Sequence, residues 1–253
     1  MNVINNTMLC RHLSLYKVLV IFIFIFSTNV FGQDFEEIFK PDFQKAINIF
    51  YDIKPRMEEQ INSLDGDYFL CASMVFPEII RYSLLKDQME TIALEVFYTK
   101  LGNEYANFSI GLFQMKPSFV ERLEKEIIGF PKLSEFHFIS EYPVYISKEK
   151  ERDLRLNRLR DIDWQTTYLV CFVKLLEIIH QNKYNDLNLT VVKNKIAFFS
   201  TSYNTGFWYD VDEILKYQKF DQFPFGNRVV DGQCNYGDLS YYFYQNYISK
   251  FTE

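Results

Sequence analysis

Residues 148–183, KEKERDLRLNRLRDIDWQTTYLVCFVKLLEIIHQNK, hold the longest helical pattern in the chain. The first half is densely charged and reads as a solvated face. The second half is very apolar, so the helix either enters the core or breaks near Asp161–Asp163. Other segments repeat the helical period: 34–62, Tyr68 to Leu101, Pro117 to Gly129, 191–203 and the closing LSYYFYQNYISKF. Strand-like alternation is scarce, and there are no internal repeats or low-complexity tracts. The expected fold class is mainly α.

Punctuation sets the expected boundaries. Pro41 and Pro55 should cut 34–62 into two short helices, a helical extension over 33–63, with the main domain at 64–253. The turn LDGD (64–67) separates the two. Pro77 should kink a helix or start a new one. Gly102–Asn103 ends a helix, and Pro117 stands where the next begins. Residues 130–148, with Pro131 and Pro143, read as an irregular excursion.

At the N-terminus, Arg11 and Lys17 precede VLVIFIFIF (18–26) and then STNVFGQDF. A charged region, a short apolar run and small residues describe an export leader cleaved after Gly32. The run is far shorter than the roughly 20 residues a bilayer span needs. Residues 1–32 are therefore expected to be a signal peptide, with no permanent membrane anchor in an exported, monomeric protein. Cys71, Cys171 and Cys234 remain, which allows at most one disulfide within the chain. No C-x-x-C occurs, and His137 and His180 lack zinc-ligand spacing, so neither a metal nor a cofactor is expected. The net charge is −6, and −8 without the leader, which argues against a nucleic-acid partner.

Three stretches carry the chemistry. VFPEIIRYS (75–83) sets Glu78 among apolar neighbours. YANFSIGLFQMKPSF (105–119) has a Gly-Leu-Phe-Gln-Met core followed by Pro117. FFSTSYNTGF (198–207) supplies Tyr-Asn-Thr-Gly. Cleaving a glycosidic bond needs a proton delivered to the leaving oxygen near neutral pH. A carboxyl does this best when apolar surroundings, here Phe76, Ile79 and Ile80, disfavour its charged form. Against that stands a structural role for Glu78 in a surface pair with Arg81, worth little.

In this order the stretches resemble the lytic transglycosylases and goose-type lysozymes of the lysozyme-like superfamily. Those enzymes carry a catalytic Glu at a helix end, a Gly-Leu-Met-Gln-Ile/Met-x-Pro-like segment, and an Ala-Tyr-Asn-Ala-Gly-like segment. The resemblance covers roughly residues 68–207. It implies a lysozyme-like helical domain and peptidoglycan glycan strands as partner. It also implies cleavage of the MurNAc-GlcNAc bond with Glu78 as the one acid/base. Ser109 and Gln114 would hydrogen-bond sugar or backbone, and Gly111 would let the main chain approach the glycan. Tyr203 would set its hydroxyl near Glu78 or the N-acetyl group, while Asn204 shapes the wall. Here the usual Glu-Ser pair is Glu78-Ile79, and thirty-three residues separate Glu78 from Gly111. A helix inserted at 85–102 would fill that interval, and it leaves Glu90, Glu95 and Glu104 as rival acids, Glu104 foremost. Asp210 and Asp212 are the candidates for a second carboxylate. A hydrolytic lysozyme on the same scaffold and a non-catalytic glycan-binding envelope protein are the alternatives.

Overall fold

A computed structural model describes residues 33–85, 91–226 and 232–249. The expected leader and the rival Glu90 lie outside the described residues. A single helical turn occupies Phe35–Phe39. From Ile38 onward the described residues form one compact unit, mainly α-helical as its periodicity predicts.

Helix α1 (Pro41–Ser63) buries Phe43, Ala46, Ile47, Phe50, Met57 and Ile61, a stripe at helical spacing. It corrects the expectation of two short helices. Pro41 sits in the first turn, where its missing N–H would have no helical partner anyway. Pro55 lies inside the helix, with the buried stripe running on past it at Met57 and Ile61. Packing on both sides outweighs the roughly 3 kcal/mol that an interior proline costs.

Helix α2 (Tyr68–Leu85) forms the centre. Every position from Tyr68 to Ile80 except Phe69 is buried, Pro77 and Glu78 included. Among the described residues it alone is long and apolar enough to cross a membrane, yet 67% of that stretch is buried inside the fold. Helix α3 (Thr91–Leu101) ends at Gly102, whose φ of +97° suits a residue without Cβ. Helix α4 (Pro117–Ile127) starts on Pro117. The excursion after it is a run of tight 3-10 turns over Pro131–Ser140 that buries Leu133, Phe136 and Ile139.

The long pattern at 148–183 does break, at Asp161. Helix α5 (Lys148–Arg160) ends there and α6 (Ile162–Ile179) begins, because the Asp161 carboxylate accepts the Asp163 and Trp164 N–H groups at 3.0 Å each. Helices α7 (Val192–Thr205) and α8 (Val211–Tyr217) follow. A small antiparallel pair joins β1 (Asp221–Phe223) to β2 (Cys234–Asn235), and α9 (Tyr236–Phe243) comes next. Around α2 pack α1, α7 and α9, with Phe76 stacked on Phe243 at 3.7 Å between ring centres.

On the far side, α4, α5 and the 3-10 turns enclose an ionic cluster. Arg155 donates to Glu124 through Nε at 2.9 Å and Nη2 at 2.7 Å. The Tyr142 and Tyr168 hydroxyls donate to the other Glu124 oxygen at 2.6 and 2.8 Å. Cys71, Cys171 and Cys234 are all buried free thiols.

Candidate functional site

Three elements meet at a cavity of about 420 Å³. Helix α2 contributes Glu78 and Arg81, the segment before α4 contributes Ser109 and Gln114, and the end of α7 contributes Tyr203 and Asn204. Five of the six residues expected at the site thus line one cavity, although they come from stretches far apart in sequence.

The sixth, Gly111, does not line it. Ile110 and Met115 bridge back to each other, and the intervening tight turn puts Gly111 at φ +70° and Gln114 at φ +48°. A Cβ on Gly111 would collide with the Gln165 side chain and stand 2.7 Å from the Leu159 carbonyl. Its small size therefore makes room for Gln165 rather than for a glycan. Gln165 is buried in α6, accepts the Phe113 N–H at 2.8 Å and donates to the Leu159 carbonyl at 2.7 Å. One amide thereby fixes the turn to the core. The sequence carries a trace of it, as a polar residue at the head of an otherwise apolar helix.

Glu78 is 2% exposed. Phe76, Ile79 and Ile80 beside it are fully buried, as the apolar setting required. The Arg81 pairing, the structural alternative weighed for Glu78, is present but buried rather than on the surface. Arg81 Nη1 lies 2.7 Å from both carboxyl oxygens, and Nη2 donates to Asn204 Oδ1 at 3.1 Å. The guanidinium also rests 4.7 Å over the Phe223 ring. Burial pushes the Glu78 carboxyl above the usual carboxylate range, while Arg81, the Tyr236 hydroxyl and Lys116 pull it back down.

Tyr203 reaches the site differently from the expectation. Its hydroxyl donates to the Phe113 carbonyl at 2.7 Å, and its ring packs edge-on against Phe119 and Phe172. The phenol ties α7 to the Gly111–Gln114 turn, and burial together with the nearby Glu78 charge pushes its pKa well up. Gln114 donates one amide N–H to the Gly111 carbonyl at 2.9 Å, which ties its side chain to the turn while it lines the cavity.

Several residues went unnoticed in the sequence. Tyr236, the first residue of α9, donates to the Met74 carbonyl at 3.0 Å, and its hydroxyl also helps to lower the Glu78 carboxyl. Lys116, Trp208 and Phe225 also line the cavity. No spacing or pattern linked any of them to Glu78.

The rival carboxylates stand elsewhere. Glu104 is exposed, and Glu95 pairs with Arg160 at 2.6 Å. Asp210 caps α8 by accepting the Glu213 N–H at 2.9 Å. Among the described residues Glu78 is the only carboxylate lining the cavity. Among the described residues, no three His, Cys, Asp or Glu side chains converge as metal ligands would. Comparison with protein-family models, with curated proteins and with solved structures finds no match.

Proposed function

We propose that this chain is an exported lytic transglycosylase of peptidoglycan, built on a lysozyme-like helical scaffold, with Glu78 as its single acid/base. One observation carries the reading: a buried carboxyl with a raised pKa is, among the described residues, the sole acid lining a cavity walled by residues of the 105–119 and 198–207 stretches. In its neutral form Glu78 would give its proton to the glycosidic oxygen as the C1–O bond breaks. The acetamido oxygen of the same sugar would stabilise C1. The Glu78 carboxylate would then take the proton of the 6-hydroxyl, whose oxygen closes on C1. The product is a 1,6-anhydro end, the carboxyl returns to its starting state, and no water is consumed.

A second reading has its own observation. Arg81 Nη1 holds both Glu78 oxygens at 2.7 Å, an arrangement that also suits a structural pair in a glycan-binding envelope protein without catalysis. Incubating the purified protein with sacculi and analysing the released glycan ends separates the outcomes. Anhydro ends support the transglycosylase, and new reducing ends mean hydrolysis by the same acid. Intact strands that remain bound to the protein mean a binding module.

A further inference from the structure

The chain is acidic overall, at net −6, yet its cavity is not. Among the described residues lining it, the charged groups are Glu78, Arg81 and Lys116. Arg81 pairs with Glu78 directly, whereas Lys116 acts on that carboxyl only through its charge, without an ion pair, and keeps its ammonium for a ligand. Lys116 is exposed and makes no ion pair among the described residues, although carboxylates are plentiful elsewhere on the chain. It stands immediately before α4, where Pro117 fixes the first turn and the Lys116 side chain caps nothing. Neither packing nor helix capping accounts for a lysine there. A lone cation at the mouth of a glycan-sized cavity favours ligands that bring a negative charge.

We propose that Lys116 recognises a carboxylate carried by the glycan, and so makes the cavity prefer acidic sugar chains over uncharged N-acetylglucosamine chains. This rests on the glycan reading of the cavity given above. The carboxylate has two sources in peptidoglycan: the lactyl group of a peptide-free muramyl sugar, or the peptide attached to that lactyl group. Lys116 would meet either as a point charge with rotatable donors, a geometry that tolerates both.

Calorimetric binding on the Glu78→Gln protein, which leaves ligands uncut, tests the proposal. Three tetrasaccharides serve as probes: N-acetylglucosamine only, alternating muramyl chains without peptide, and the same chains with peptide. The acidic chains should bind roughly fivefold tighter than the neutral one at low salt, the upper end of an exposed ion pair's contribution. That advantage should shrink in added salt and vanish in the Lys116→Gln double variant, which should bind the acidic and neutral chains alike. An advantage confined to the peptide-free chain assigns the lactyl carboxylate, one confined to the peptide-bearing chain assigns the peptide, and one on both chains shows that Lys116 reads either carboxylate. A preference that survives Lys116→Gln, or equal binding of all three chains, overturns the role of Lys116 and leaves the glycan reading standing. Failure of all three to bind overturns both.

Discussion

Glu78 and Glu124 are carboxylates taken almost wholly out of water, at 2% and 4% exposure, and each has an arginine nitrogen at 2.7 Å. Their surroundings then diverge. Glu124 is met by two nitrogens of Arg155 and by the Tyr142 and Tyr168 hydroxyls, with Glu121 and Glu151 on the remaining guanidinium positions. Every acceptor there has a partner within the protein. Glu78 shares a single Arg81 nitrogen between its two oxygens and borders a cavity of about 420 Å³. A closed network gives stiffness, because no member can change state without stranding another. A carboxyl beside an opening can exchange its partner for a ligand. Burial alone therefore does not mark a functional acid, whereas burial with an open side does.

The largest expected effect breaks the comparison at Glu78. Glu78→Gln should lower glycan cleavage by about 10²–10⁴-fold, the usual contribution of a general acid, as measured by release of glycan ends. Its melting temperature should fall less than that of Glu124→Gln, since Arg81 can rehydrate through the cavity. Full turnover by the variant would remove Glu78 from the chemistry.

Glu124→Gln should give the converse result. Breaking a buried pair costs about 3–5 kcal/mol, and for a chain of this length that lowers the melting temperature by roughly 6–20 °C. Activity per folded molecule should be unchanged. A stable but inactive Glu124→Gln protein would mean that the closed cluster also serves the site.

Tyr203→Phe sharpens the boundary between the two regions. The structure gives its hydroxyl to the Phe113 carbonyl, so the variant leaves a buried acceptor unpaired at a cost of about 1–3 kcal/mol. Melting should register this loss. Cleavage should fall as well if the loosened turn no longer holds the cavity wall. Unchanged stability would show that the carbonyl finds another donor.

The smallest effect concerns pH. Burial lifts the Glu78 carboxyl in the folded chain, so across the window just above the ordinary carboxylate value the folded state binds more protons than the unfolded one. Stability attributable to this group therefore declines as pH rises through that window, and cleavage by the neutral acid declines with it. Arg81 pulls the carboxyl down. Arg81→Gln should accordingly move the basic limb of the activity profile to higher pH, while an unmoved limb would assign it to another group.

Much of the helical layout was legible because helices bury faces at a fixed period, and the stop at Asp161 followed from a side chain able to cap. The prolines misled at α1, where a local rule gave way to packing on both sides of Pro55. The burial of Glu78 was legible from its apolar neighbours, but the influence of Tyr236 on it was not, since a tyrosine opening a late helix carries no local sign of what it approaches. Gly111 was legible as a place of close approach, read as an approach to the glycan. That the space it leaves belongs to Gln165 depends on α6 lying behind it, which no feature of 105–119 records.

The bonds around the cavity share one further property. Phe113 to Gln165 spans 52 residues, Tyr203 to Phe113 spans 90, Arg81 to Asn204 spans 123, and Tyr236 to Met74 spans 162. Contacts this distant along the chain are slow to close and come after local helix formation. During synthesis, Glu78 emerges long before the residues that enclose it. A growing polypeptide that has not yet reached Tyr236 lacks the last of these ties, so the finished pocket arises only once that residue has been made.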